Sequence, residues 1–428
     1  MIRRFSLYGF LKNQQYFEPF LILAFLDKGL SFSQIGILIG FLAICVNLME
    51  VPTGAVADVA GRRRSMMLSF FAYIVAFITL AFADSFLYLL PGMFLFSIGE
   101  AFRTGTHKAI IFAWLAHEGR ADEKTKVYGF TRSWSKMGSA LSAVIAPILV
   151  IAFRDYSIVF LAPIPAYIGN IINFATYPKW LDGETDEHHG VRQMAATLWR
   201  SLREAVSSRD LRRLFVESMG FEGVFKVSKD YIQPVAATMA VGAAAMIPLF
   251  AEMGDELQRK ALVVGVVYCV LYLISSYASR HAHSVVKLTG SEPKAAKLLW
   301  VLDFVTFGLL TAGVLLNWSA VVIAAFVVLA ILQNFWRPVL VSRFADLSNP
   351  ERTATILSVE SQGKTLFAAV AAPLLGLAVD AMIGWHEPWR FLPVGLLGLV
   401  VAGGILLTQR KAARPADSED ASDRREHT

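Results

Sequence analysis

The feature that most constrains this chain is a series of apolar segments, each about as long as a lipid bilayer is thick. Roughly 20 mostly apolar residues form a helix that can cross the hydrocarbon core. Twelve segments of the 428-residue chain qualify, some with polar interruptions: 5–27, 33–57, 65–83, 86–113, 128–152, 156–178, 213–250, 261–280, 295–316, 319–342, 354–380 and 387–409. With only 17% charged residues, against about 25% in soluble domains, we expect an all-α membrane protein with twelve transmembrane helices.

Two of the twelve segments are irregular. The seventh is longer than one straight span requires, and Pro234 and Pro248 are expected to kink or break it. Polar residues interrupt the first, namely Lys12, Asn13, Gln14, Gln15 and Glu18.

The distribution of Lys and Arg predicts the orientation. These residues concentrate at the N-terminus, in alternate loops, in the connection between the sixth and seventh segments and in the tail. By the positive-inside rule, both termini are expected in the cytoplasm, with the chain in a bacterial inner membrane. The net charge of +6 then reflects topology, and no nucleic-acid partner is indicated. The stretch from Gln193 to Arg213 is expected to form an amphipathic surface helix.

An internal repeat predicts two halves. Residues 122–136 and 350–364 align without gaps, with identical Glu, Thr, Ser and Lys positions, and each stretch enters the fifth segment of its half. Repeats of six helices about an axis along the membrane normal are a transporter architecture. We expect a six-helix bundle at 1–179, a cytoplasmic linker at 180–212, a second bundle at 213–410 and a disordered tail at 411–428.

The loop between the second and third segments carries the most specific motif. Its matching residues are Gly54, Asp58, Gly61, Arg62 and Arg63. The motif resembles the signature loop of the major facilitator superfamily, although Val59 stands where that family usually has a basic residue. The resemblance implies that family's fold: twelve helices in two six-helix bundles related by pseudo-two-fold symmetry.

The resemblance also implies a gating role for this loop. Gly54 would permit close helix packing, and Gly61 a tight turn. Asp58 would face the N-terminal dipole of the eleventh helix, while Arg62 and Arg63 hold the turn at the headgroups and can pair with Asp58. A plain positive-inside anchor would explain the arginines alone.

Charged residues within the predicted spans are the candidate functional groups. Each costs about 2.5–3.5 kcal/mol at a helix centre on insertion scales, so such groups are expected to be paired or functional. In the resembled fold the first, fourth, seventh and tenth helices line the central cavity. On these segments the candidates for substrate binding or proton coupling are Glu18, Arg103, His107, Glu222, Lys226, Asp230 and Arg337.

A second set lies on the fifth and eleventh segments, near their cytoplasmic ends, and suits gating as well as binding: Arg132, Lys136, Glu360 and Lys364. All these charges have an alternative interpretation as mutual ion pairs that hold the halves together. For His107, a hydrogen bond between packed helices is an equal alternative to proton transfer.

No nucleotide-binding loop and no catalytic motif is evident, and no metal site or cofactor is expected. We therefore expect a monomeric secondary transporter, not an enzyme, that works by alternating access with protons as coupling ion. Its partners would be the lipid bilayer and a small anionic or zwitterionic organic substrate. The alternatives are drug or toxic-compound efflux by proton antiport, transport of a metal ion such as iron, and a transporter-like receptor or assembly factor.

Overall fold

The computed structural model describes residues 1–104, 106–182, 203, 208–243, 255–281, 283–347, 350–385 and 387–412. Within these ranges a few side chains, including that of Asp58, lie outside the description. The predicted amphipathic segment falls largely outside the described residues, as do Pro248 and the tail beyond Ala412.

The first half of the chain is helical. Its α-helices are α1 (Ile2–Lys12), α2 (Leu21–Asp27), α3 (Phe32–Ala60), α4 (Arg62–Phe82), α5 (Phe86–Arg103), α6 (Thr106–His117), α7 (Lys124–Phe153), α8 (Ile158–Leu161) and α9 (Ile164–Ala175). Three short 3-10 helices accompany them: Glu18–Phe20, Ala121–Glu123 and Lys179–Asp182.

The second half follows the same plan. Its α-helices are α10 (Arg209–Ser218), α11 (Val224–Ser228), α12 (Ile232–Ala243), α13 (Glu256–Arg280), α14 (His283–Thr289), α15 (Glu292–Leu315), α16 (Ser319–Asp346), α17 (Pro350–Asp380) and α18 (Leu392–Ala412). A π-helix (Met219–Gly223) and two 3-10 helices (Lys229–Tyr231 and Glu387–Phe391) complete it.

Within the described ranges, ten helical stretches are long and apolar enough to cross a membrane. They correspond to ten of the twelve predicted segments. The first and seventh segments are instead chains of short helices. α1 ends at Lys12, and a non-helical stretch separates it from the turn at Glu18. In the seventh, the π-helix and a 3-10 turn interrupt the α-helix before Pro234, so the break precedes the proline expected to cause it.

The two halves meet along pairs of long helices. α3 lies antiparallel to α17, and their backbones approach so closely at Gly36, Gly40 and Gly376 that a Cβ there would overlap the facing backbone. The paired repeat stretches enter α7 and α17, which have 30 and 31 residues. α7 packs on α13, where Gly265 contacts Pro147.

We call the side of the protein that carries Met1 and the end of α18 the terminal face, and the opposite side the distal face. At the distal face, Asp380 at the end of α17 accepts hydrogen bonds from the backbone N–H groups of Phe32 (3.0 Å) and Ser33 (2.7 Å). A carboxylate at a helix N-terminus is favourable because the helix dipole is positive there. Asp380 therefore joins the halves at the start of α3.

Candidate functional site

A cavity of about 370 Å³ lies among α1, α5, α6 and α7, within the first half. Its lining is mostly polar: Phe5, Tyr8, Gly9, Lys12, Asn13, Arg103, His107, Lys108, Tyr128, Thr131, Arg132, Ser135, Lys136 and Ser139. Five of these side chains carry Lys or Arg charges, and none is a carboxylate. The cavity is therefore a basic chamber inside a membrane protein.

Four of its cations have no acidic partner among the described residues. Lys12, Arg132 and Lys136 also have no side-chain hydrogen bond and no cation–π contact among those residues, whereas Lys108 lies over aromatic rings. Arg132 and Lys136 are one turn apart on α7, where like charges repel. Lys12 is the last residue of α1 and occupies the helix end just before the non-helical stretch. Unpaired charges within predicted spans are functional candidates by default, because lipid would penalise them.

Arg103 differs because it is held by its own helix. It forms an ion pair with Glu100, three residues earlier. The hydroxyl of Tyr73 on α4 donates to Glu100 (2.5 Å) and accepts from Nε of Arg103 (3.3 Å). α5 ends at Arg103. Since α6 begins at Thr106, Arg103 and His107 lie on separate helices, although both line the cavity.

His107 is enclosed by aromatic rings. Its ring lies 3.7 Å from that of Tyr8, and Phe5 and Phe174 meet it edge-on. Its Nε2 is buried and without a hydrogen-bond partner, so this nitrogen does not reach the solute space. The neighbouring Lys108 instead stands over the rings of Phe112 and Tyr128, a cation–π arrangement.

A four-residue charge cluster occupies the second half, formed by Glu222, Arg337, Glu360 and Lys364. Arg337 contacts both carboxylates, at 3.3 Å from Glu222 and 2.9 Å from Glu360. Lys364 does the same, at 2.8 Å from Glu360 and in close contact with Glu222. Glu360 is fully buried. The four formal charges cancel, so this cluster is a neutral network linking the broken seventh span, α16 and α17.

The other predicted charges of the seventh span do not join that cluster. Lys226 makes a long hydrogen bond (3.4 Å) to Thr365 of α17 and is within electrostatic range of Glu100 across the halves. Asp230 pairs with its neighbour Lys229 at 2.7 Å. The π and 3-10 turns change the spacing that a regular helix would give, so the three residues separate.

The break in the first span is closed by a residue from the second half. Gln233 of α12 accepts a hydrogen bond from the backbone N–H of Ile22 (2.8 Å) and donates to the carbonyl of Glu18 (2.9 Å). It also contacts the Tyr268 hydroxyl at 2.9 Å. Backbone groups freed by a helix break in a membrane need such partners. The Glu18 side chain forms no ion pair among the described residues.

Sequence reasoning missed Lys12, Glu217 and Gln233. Lys12 could have been found, because it is a cation inside the first apolar segment. Glu217 is almost completely buried and pairs with Arg213 (3.1 Å) and Arg343 (2.6 Å). Three arginines precede it closely in the sequence, so this stretch was interpreted as part of the polar connection, and the burial of Glu217 was not expected. Nothing in the sequence signals Gln233.

The loop of the signature motif is fixed within its own half. The backbone N–H of Arg63 donates to Asp182 (2.9 Å), and its side chain pairs with the same carboxylate at 3.5 Å. Gly61 has a φ of +94° and lies against Asp182, where a Cβ would collide. Arg63 therefore pairs with Asp182, and the expected partner Asp58 has its side chain outside the described residues. Gly54 lies in α3, and Arg62 begins α4.

Comparisons with known proteins agree with this architecture. The Major Facilitator Superfamily profile matches residues 13–223, and no curated protein matches the sequence. The nucleoside transporter NupG has a similar structure, with a TM-score of 0.72 at 11% identity over 95% of this chain and 96% of that one. A bacterial homologue of the human lysosomal transporter Spinster, inward-facing and unoccupied, gives 0.71 at 15% identity over 97% and 98%. A POT family transporter in complex with a thioalcohol-conjugated peptide gives 0.64 at 16% over 96% and 95%.

The low identities mean that these structures establish the fold alone. The profile match covers the first half and includes the motif from Gly54 to Arg63, while the shared fold extends over nearly the whole chain. Residues 13–223 therefore belong to the major facilitator superfamily, and the chain as a whole has the fold of its multi-pass membrane transporters.

Proposed function

We propose that this protein is a proton-coupled secondary transporter of a small organic anion, which binds in the basic cavity of the first half. The observation that carries the proposal is the set of three cations, Lys12, Arg132 and Lys136, that line one cavity without acidic partners. An anion would supply the missing partners.

The paired charges suit a different role. Arg103 and Arg337 were candidates for binding, but each already contacts carboxylates. We assign Arg103 to shaping the cavity wall. The cluster around Arg337 contains two buried carboxylates, and protonation of either would break its neutrality. We therefore propose the cluster as the coupling site, with Glu222 or Glu360 as proton carrier.

Topology and assembly complete the proposal. The bundles 1–179 and 213–410 would exchange access to the cavity between the two sides of a bacterial inner membrane, with the terminal face in the cytoplasm. The motif loop from Gly54 to Arg63 would act as a gate at that face, and the working unit would be a monomer.

The rival substrates fit this cavity less well. A cavity for apolar drugs would be lined mainly by aromatic and aliphatic side chains, as ligand pockets usually are. Here charged and hydroxyl side chains dominate the lining. A metal ion would need several free carboxylates at one site, whereas Glu100, Glu222 and Asp230 are all engaged by cations, and Glu18 alone does not make such a site.

The test is flux in proteoliposomes containing the purified full-length protein, with labelled organic anions and an imposed proton gradient. We expect uptake of an anion that depends on the gradient. Lys136→Gln should reduce it strongly, and Glu222→Gln should uncouple uptake from the gradient while exchange of the anion persists. The matched control is Lys297→Gln, which alters an exposed lysine on α15 away from the cavity.

Three results would contradict the proposal. Gradient-driven flux of neutral or cationic solutes only would refute the substrate class. The absence of any flux across a broad panel would favour a receptor or assembly role. Anion flux that is unchanged in Lys136→Gln would place the binding site elsewhere.

A further inference from the structure

We infer that the substrate carries two negative charges on one small head group, as a phosphate monoester or a compact dicarboxylate does. This inference rests on the proposed function and narrows it to a charge state. The observations are the count of unbalanced cations around the cavity, their placement and the size of the chamber.

The charge count favours a dianion. Five cationic side chains line the cavity: Lys12, Arg103, Lys108, Arg132 and Lys136. Glu100 offsets Arg103 through a direct ion pair. Glu100 and Glu18 are also within electrostatic range of Lys12, and Glu18 of Lys136, but neither carboxylate is at ion-pair distance from these lysines. Four cations thus have no ion pair, and if Glu18 is counted against one of them, three positive charges remain unbalanced. A monoanion would leave two of those three unbalanced.

The placement of these groups favours a single compact head group. Arg132, Ser135 and Lys136 are consecutive cavity-facing positions on α7, and Lys12 at the end of α1 faces the same chamber. Among the described residues, the Ser135 hydroxyl has no hydrogen-bond partner. A guanidinium, two ammonium groups and a free hydroxyl together offer many donors to clustered anionic oxygens.

The volume of the cavity also suits a small solute. Its 370 Å³ lies near the lower end of ligand pockets, which range over about 300–1,000 Å³. A head group with a short carbon skeleton fits that volume. A zwitterion fits poorly, because no carboxylate lines the chamber to receive its cationic group.

Matched pairs of probes separate charge from shape. The first pair is glycerol 3-phosphate and its methyl phosphodiester, and the second is succinate and succinamate. Each pair differs mainly by one negative charge at pH 7.5, because the second pKa of a phosphate monoester is about 6. Binding to the full-length protein in detergent is measured by thermal stabilisation over a range of ligand concentrations.

We expect at least one dianion to bind about tenfold or more tightly than its monoanionic partner, because the second charge adds charge-assisted hydrogen bonds. Lys12→Gln and Lys136→Gln should each bring the two members of that pair close to equal affinity. Lys297→Gln should keep the difference. Unfolding temperatures without ligand show whether each variant is folded, and Lys136→Arg, which keeps the charge, should preserve the preference.

The outcomes distinguish this inference from the proposed function. Equal affinity for both members of each pair overturns the dianion inference and leaves the anion transporter intact. Tighter binding of the monoanions would likewise overturn the dianion inference and leave the anion transporter intact. If no anion stabilises the protein and none is transported, the proposed function itself fails. A dianion preference that survives in both lysine variants would also overturn the inference, because residues other than Lys12 and Lys136 would then bind the second negative charge.

Discussion

At the scale of single residues, the role of a charged side chain within a span depends on whether it has an oppositely charged partner. Arg337 and Lys364 each contact two carboxylates, whereas Lys12 and Lys136 contact none among the described residues. The sequence identifies all four as charges inside apolar segments. It cannot assign their partners, since Glu222 and Arg337 are 115 positions apart and meet only through the packing of separate helices.

Glu217 provides a residue-scale prediction about stability. Its carboxylate is 1% exposed and joins Arg213 to Arg343. Glu217→Gln leaves two arginines without their acid, one of them only 15% exposed, and should cost about 3 kcal/mol of folding free energy. The measurement is the unfolding temperature in detergent, with Glu118→Gln, at an exposed site, as control. Equal unfolding temperatures for the two variants would contradict a structural role for Glu217.

The signature loop shows how far a motif predicts contacts. The positions of Gly61, Arg62 and Arg63 at a helix–helix turn are as expected from the motif. The partner of Arg63 was not predictable, because Asp182 lies 119 residues away in a connection that has no motif. A sequence motif predicts local backbone conformation well, such as the positive φ at Gly61. It does not predict which distant side chain pairs with the residues of the motif.

At the scale of elements, the breaks in the first and seventh spans are the features that sequence described least well. Hydropathy identified both segments, but the π-helix Met219–Gly223 contains no proline, and Pro234 lies in the first turn of α12, where a proline is tolerated. Interrupted helices at corresponding positions of two repeats point to a transporter's binding site. Here the first break adjoins the cavity through Lys12 and Asn13.

The close contact between α3 and α17 gives an element-scale prediction. A Cβ at Gly36 would lie 2.4 Å from the carbonyl oxygen of Ala372, a backbone atom that cannot turn aside. Gly36→Ala should therefore separate the two helices and cost about 1–3 kcal/mol as overpacking does. Gly404→Ala on α18 is the matched control, because nothing lies within 4 Å of its added Cβ and Ala is the better helix former.

Unfolding temperatures in detergent measure both variants. We expect Gly36→Ala to unfold at a lower temperature than the unmodified protein, and Gly404→Ala at the same temperature or higher. A Gly36→Ala variant as stable as the Gly404→Ala variant would show that the two helices can separate without cost.

At the scale of the whole molecule, three of the hydrogen-bonded contacts that the described residues make between the halves lie toward the distal face. Asp380 holds the start of α3, Gln233 holds the break in the first span, and Gln258 donates to the carbonyl of Ile151 at 3.2 Å. By contrast, the motif loop at the terminal face is bound within its own half through Asp182. A transporter that alternates between two states changes their populations when contacts present in only one state are lost.

Removal of the Asp380 contact should therefore favour opening of the distal face. Asp380→Ala deletes a charged acceptor from the N-terminus of α3, and since a helix cap contributes about 1 kcal/mol, the open population should rise about fivefold. The reporter is a cysteine at Leu375, which is buried at 4% exposure five residues before Asp380, in a chain without Cys45 and Cys269. Its reaction with a membrane-impermeant maleimide added from the distal side should accelerate by that factor.

Asp346→Ala, at an exposed helix end on the terminal face, should leave the rate unchanged. An unchanged rate in Asp380→Ala would mean that this contact persists in both states and takes no part in alternating access.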